Sequence, residues 1–213
     1  MRDRAQRDDA LPGNAQRYNA LAIAFHWLTA LLVGSLYALG QLRSLPGRGS
    51  ALQHLMLTTH YGLGLTLAVL IVLRLAWRAT HKAPDHEKGL MGLAATAGHI
   101  ALYLLMIAAV TLGILLKWHG AHPIPFFGLF QVPSLVNLAA VPYRTLFSLH
   151  ALAANGIVIV VGLHAAAALL HHYVLRDETL HRMLPGSWRL PRSRRVTRLV
   201  VAVRRAIRPA RPV

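Results

Sequence analysis

Apolar positions along this chain are gathered into four long runs, Leu21 to Gly40, Leu55 to Trp77, Leu93 to Trp118 and Leu146 to Val174, and are not spread in short amphipathic stretches. Crossing about 30 Å of hydrocarbon takes roughly 20 helical residues, and each run reaches that length. The pattern predicts four transmembrane helices. Pro46-Gly47 with Gly49 marks a short turn after the first run, and His81 to Lys88 a charged loop after the second. Spans joined by short connections predict an all-α, integral membrane four-helix bundle of up-down-up-down topology. The first run is too long for the apolar core of a signal peptide, and no clear small-residue cleavage site follows Ala38-Leu39-Gly40. The segment His119 to Pro142 holds four prolines and the cluster Phe126-Phe127-Gly128-Leu129-Phe130. It reads as a periplasmic cap that partly dips into the interface. The domain expectation is a polar segment 1–17, a bundle 18–175 and a basic tail 176–213.

Composition agrees: 55% of residues are hydrophobic and only 14% charged. A net charge of +16 over 213 residues would suggest nucleic acid in a soluble protein. Its distribution argues for the membrane instead. Arg2, Arg4, Arg7 and Arg17 precede the first run, Arg74, Arg78, Lys82 and Lys88 flank the second junction, and eleven Lys/Arg residues follow from Arg176 onward. Only Arg43, Arg48, Lys117 and Arg144 mark the other side. The positive-inside bias then puts both termini in the cytoplasm, with lipid as the partner and no nucleic acid. The tail from Arg189 to Arg211, with Val196, Leu199, Val200, Val203 and Ile207 among its arginines, reads either as a basic helix on anionic lipid or as a disordered tail. Cysteine is absent, which excludes disulfides, thiolate metal sites and covalently attached haem.

The candidate chemistry lies in the histidines, of which there are thirteen. Ionisable side chains inside a span are costly and mark function. The acidic residues, Asp3, Asp8, Asp9, Asp85, Glu87, Asp177 and Glu178, all fall outside the spans, so a carboxylate metal centre or cation path has no oxygen ligands. Depth decides which imidazoles meet. The fourth run carries His150 and, fourteen residues on, His164, which corresponds to about 21 Å of rise and a return to nearly the same face. In antiparallel spans His60 comes level with His150, and His26 with His164. Two imidazoles at each depth, with no thiolate or carboxylate to complete a tetrahedron, suit the two axial positions of a haem iron better than zinc. Arg74 and Arg144 are candidates to pair with haem propionates, or else are interfacial anchors. His99 competes for the level of His26 and His164, as a ligand or as a hydrogen-bond donor to a propionate or quinone. His171, two turns beyond His164, and His172 read as quinone-lining or simply interfacial.

Several fragments together resemble the bacterial cytochrome b561 family: Arg17-Tyr18 leading to Ile23-Ala24-Phe25-His26-Trp27, His60-Tyr61-Gly62-Leu63-Gly64 ending in Leu73 to Arg78, His99 to Tyr103, Pro125 to Phe130, and His150 through His164 to His171-His172-Tyr173. The resemblance covers about residues 17 to 184. It implies two b haems with axial ligands at His26, His60, His150 and His164, exchange of electrons with ubiquinone in the bacterial inner membrane, and activities that include oxidation of periplasmic superoxide. For that chemistry Lys117, Arg144 and the residues around Trp118 would form a cationic mouth. The leading expectation is therefore an electron-transfer protein between a periplasmic donor and the quinone pool. One rival is a cytochrome b anchor for a hydrogenase or dehydrogenase; another is a histidine-lined metal transporter, which the lack of acidic or thiolate ligands in the spans counts against.

Overall fold

A computed structural model describes residues 18–81, 89–177 and 179–185 of the chain. Four helices, α1 (Ala20–Leu42), α2 (Ala51–Thr80), α3 (Leu90–Trp118) and α4 (Tyr143–Leu170), follow one another, and α4 runs on into a π-helical turn, His171–Leu175. All four are long and apolar enough to cross a membrane. Helices α1 and α2 start ahead of their apolar runs, where polar residues cap them. Asn19 accepts a hydrogen bond from the Ala22 N–H at 2.7 Å, and Ser50 accepts one from Gln53 N–H at 3.2 Å. Each cap satisfies a first-turn donor that has no partner within its helix. Gln53 then braces the turn between α1 and α2, accepting from Gly49 N–H at 2.8 Å and donating to the Arg43 carbonyl at 3.2 Å.

Helix α1 packs along α2, and α3 along α4, with a lighter seam between α2 and α3. Where the pairs face each other, Leu32, Leu67, Leu70, Ile71, Met106, Ala109, Ala153 and Ile157 form a buried apolar belt. Tyr37 on α1 bridges to α4 by a hydrogen bond to Asn155 at 3.1 Å. Leu31, Val69, Val72, Leu104 and Leu163 are exposed on the outer surface of the spans. In water that would be a liability. Against acyl chains it is the condition for a stable span, since helices satisfy their own backbone groups.

The segment between α3 and α4 carries regular structure that the residue pattern had not announced. Ile124–Phe126 (β1) pairs antiparallel with Phe130–Val132 (β2), with Phe126 opposite Phe130. The turn needs positive φ at Phe127 (51°) and Gly128 (80°), as a type I′ turn does. Phe127 adopts a backbone state that bulky residues rarely occupy, and its packing explains why. Its ring stands where a Cβ on Gly62 of α2 would be, 2.7 Å away. The hairpin is thereby keyed into the bundle.

Described residues up to Met183 belong to the unit that contains the bundle. Its last turn is tied to the start of α1: Trp27 Nε1 donates to the Met183 carbonyl at 2.9 Å, and the Tyr18 N–H to that of Arg182 at 3.4 Å. The expected N-terminal segment 1–17 and the basic stretch 189–211 lie outside the described residues.

Candidate functional site

Two levels of the bundle carry imidazoles from different helices. At the hairpin end, His60 of α2 and His150 of α4 place their ring centroids 6.3 Å apart, with planes crossing at 75°. At the opposite end, near the start of α1, His26 of α1 and His164 of α4 are also 6.3 Å apart, at 50°. Two metal–imidazole bonds of roughly 2 Å, each with roughly 1.1 Å from nitrogen to ring centre, add up to about 6.2 Å across one ion. Both pairs therefore have the separation that a shared iron between them requires. His99 of α3 lies 5.3 Å from His164. That is short of the trans-axial span, so the geometry favours His26 over His99 as the partner of His164, with His99 beside the pair.

The hairpin-end pair lines a cavity of about 600 Å³ together with Gly40, Arg43, Tyr61, Gly64, Lys117 and Tyr143. His150 Nδ1 lies 2.9 Å from the Ala109 carbonyl of α3. A carbonyl only accepts, so Nδ1 carries the proton and Nε2 keeps its lone pair, the tautomer a metal ligand needs. Gly113 makes this possible. In a helix the side chain at i+4 crowds the carbonyl at i, and a Cβ on Gly113 would sit 3.1 Å from His150 Cε1. Gly40 similarly faces His60, at 3.7 Å from its Cε1. His60 Nδ1 is buried with no hydrogen bond of normal geometry.

The two glycines after His60 have separate fates. A Cβ on Gly64 would enter open space in the cavity, whereas the room beside Gly62 is filled by Phe127. Gly156 is packed by Leu105, with 3.2 Å to a Cβ, and so serves helix contact.

Of the two arginines singled out from sequence, Arg74 is half-buried, with Cζ 5.5 Å from the centroid of Tyr103, and its charge reaches both His26 and His164. Arg144 is exposed on the first turn of α4 and is not among the cavity's lining residues. The basic residues that do line it are Arg43, which donates Nε–H to the Gly40 carbonyl at 3.1 Å, and Lys117, whose Nζ is 5.2 Å from the Tyr61 ring centre. Arg43 was not singled out from the sequence. Its spacing after Leu36 and Gly40, which continues one helix face, was the available signal.

Five of the other described histidines have local partners. His81 stacks on Trp77 at 3.5 Å, His119 Nε2 donates to the Val141 carbonyl at 3.1 Å, and His172 faces His181 at 5.0 Å. His171 Nδ1 is paired with the Asp177 carboxylate. Partial burial pushes the Asp177 carboxyl up, but hydrogen bonds from His171 and Thr179 outweigh it and hold the group below its ordinary value. Among the described residues no three His, Cys, Asp or Glu side chains are grouped to hold a metal ion by themselves. Imidazoles in twos, with a cavity beside one pair, fit a metal that brings its own equatorial ligands.

A four-helix membrane bundle with paired histidines at two depths defines the class of b-type membrane cytochromes. Residues 17–186 match the family model for prokaryotic cytochrome b561, and the chain belongs to that family. It is 34% identical over 175 residues to cytochrome b561 homolog 2 of Escherichia coli K12, covering 81% of this chain and 93% of the relative. It is 36% identical over 174 residues to the probable superoxide oxidase CybB of Yersinia pestis, covering 80% and 97%. Cytochrome b561 homolog 1 of E. coli K12 is 33% identical over 172 residues, covering 79% and 97%. The protein is accordingly a bacterial membrane haem b electron-transfer protein.

Proposed function

We propose that His60 and His150 hold one haem b and His26 and His164 a second, and that the chain moves electrons from a periplasmic donor, with superoxide as the candidate, to ubiquinone. The observation that carries the reading is the repeated 6.3 Å separation of imidazole pairs at two levels fourteen residues apart on α4. When bound, the haems supply two one-electron centres closed to oxygen ligation. The chain's own residues do the rest. The Ala109 carbonyl fixes the His150 tautomer, and Gly113 leaves room for its ring. Arg74 offers its charge to a haem carboxylate at the level of His26 and His164. At the other level the acceptor of that kind is served by Arg43 and Lys117, with Arg144 at the rim.

The distribution of basic residues supports an orientation with both termini in the cytoplasm and the hairpin end in the periplasm. Arg43 and Lys117 then give the periplasmic mouth a positive field that gathers an anion. The balance is two superoxide oxidised to two oxygen, and one ubiquinone reduced to ubiquinol with uptake of two protons. Similarity to a probable superoxide oxidase over 80% of the chain supports this donor.

The test is haem quantification with reduced-minus-oxidised spectra on the purified chain and on alanine variants of His26, His60, His150 and His164. Each variant is expected to lose one haem of two, while His99→Ala keeps both. Full haem content in the four variants would overturn the ligand assignment. Superoxide-driven quinone reduction by the isolated chain would separate it from an anchor subunit that needs a soluble partner.

A further inference from the structure

Tyr103 stands one turn beyond His99 on α3 and takes no part in the reading above. Its hydroxyl is buried and has no hydrogen-bond partner among the described residues, a state that costs free energy unless an acceptor is supplied. Over its ring stands the guanidinium of Arg74, at 5.5 Å. No acidic residue lies within the spans, and among the described residues no carboxylate is paired with Arg74. Among those residues a donor and a cation without an acceptor thus share one place.

Helix direction explains why they meet. Side chains lean toward the N-terminus of their own helix. Tyr103 on α3 leans back toward the level of His99, and Arg74, on the antiparallel α2, leans inward to the same level. His99 is 5.3 Å from His164, which fixes that level beside the pair of His26 and His164. Stacking on the ring face also limits where the planar guanidinium can point.

We propose that the Tyr103 hydroxyl and the Arg74 guanidinium converge on one carboxylate of the haem held at the His26 and His164 level, with Tyr103 as donor and as the platform that aims Arg74. This rests on the ligand reading above and adds to it the residue that sets the charge on that carboxylate. An unneutralised carboxylate near the iron favours the ferric form, so the two donors raise the potential of this haem.

The experiment uses the purified, haem-loaded full chain carrying Tyr103→Phe, with haem content, redox titration and resonance Raman spectra as readouts. Two haems per chain and an unchanged bis-histidine spectrum are expected. One of the two midpoint potentials falls, and the carboxylate-bending band of one haem shifts. Arg74→Gln lowers the same potential further, and adding Tyr103→Phe to it lowers that potential again, because phenylalanine keeps the ring and removes only the hydroxyl. Should Tyr103→Phe fail to assemble, fluorotyrosine placed at position 103, a stronger donor of similar size, must raise that potential and move the same band. Unchanged potentials and band in a variant with both haems would overturn the proposal, as would a loss of affinity for a water-soluble ubiquinone analogue as the sole change, which would assign the hydroxyl to a quinone carbonyl. Failure of the ligand reading is separate: it appears as full haem content in the histidine variants.

Discussion

Replacing Gly113 separates a generic helix effect from a specific one, because the two have opposite signs. In an ordinary helix interior, glycine to alanine stabilises by about 0.5–1 kcal/mol. At Gly113 the added Cβ lies 3.1 Å from His150 Cε1, so the ring must retreat by a few tenths of an ångström. That lengthens the 2.9 Å bond from Nδ1 to the Ala109 carbonyl, and loss of such a bond costs about 0.5–1.5 kcal/mol. Gly113→Ala is therefore expected to come out near zero. Gly113→Val adds two methyl carbons on the same side, with an overpacking cost of about 1–3 kcal/mol, and moves an imidazole off its ligand position. Thermal unfolding in detergent, followed with haem content, reads both effects. Gly34→Ala is the control, since nothing lies within 4 Å of a Cβ there; it should gain stability and keep both haems. A Gly113→Val protein with two haems per chain and wild-type potentials would refute the argument.

Gly62→Val is expected to expel the Phe127 ring, which already stands 2.7 Å from a Cβ at that position; the hairpin should become protease-sensitive while His26/His164 spectra are retained. Asp177→Asn should lower the melting temperature modestly at pH 7, a partly exposed pair being worth about 0–1 kcal/mol. The sign follows from a carboxyl held below its ordinary value: its contribution is full above about pH 4 and drains as pH falls toward the folded value, so the two melting curves should merge in acid. Arg43→Gln with Lys117→Gln should slow superoxide-driven quinone reduction and flatten its dependence on ionic strength, measured by stopped flow.

The spans and the levels of their histidines are legible in the residue string because both rest on one number, the rise per residue, and on antiparallel connection. Rotation about each helix axis is not. Arg43 and Arg144 are alike in sequence as basic residues near one end, yet only Arg43 lines the cavity. Gly62 and Gly64 are equally close to His60, and rotation gives one to a phenylalanine and the other to the cavity. The hairpin escaped notice for another reason. Three-residue strands with prolines at their borders carry too little alternation to register, and the turn is held by Phe127 on Gly62, a contact between residues far apart in the chain.

The belt from Leu32 to Ile157 lies between the two histidine levels and is wholly aliphatic apart from the Met106 sulfur. Hydrocarbon of this kind offers no chain of donors and acceptors for a proton to hop along. On the function proposed above, electron traffic from one membrane face to the other would be electrogenic, and each electron crossing the full dielectric would exchange about 2.3 kcal/mol with the field per 100 mV. The direction of the membrane potential becomes a lever on the rate, built from eight side chains that carry no charge themselves.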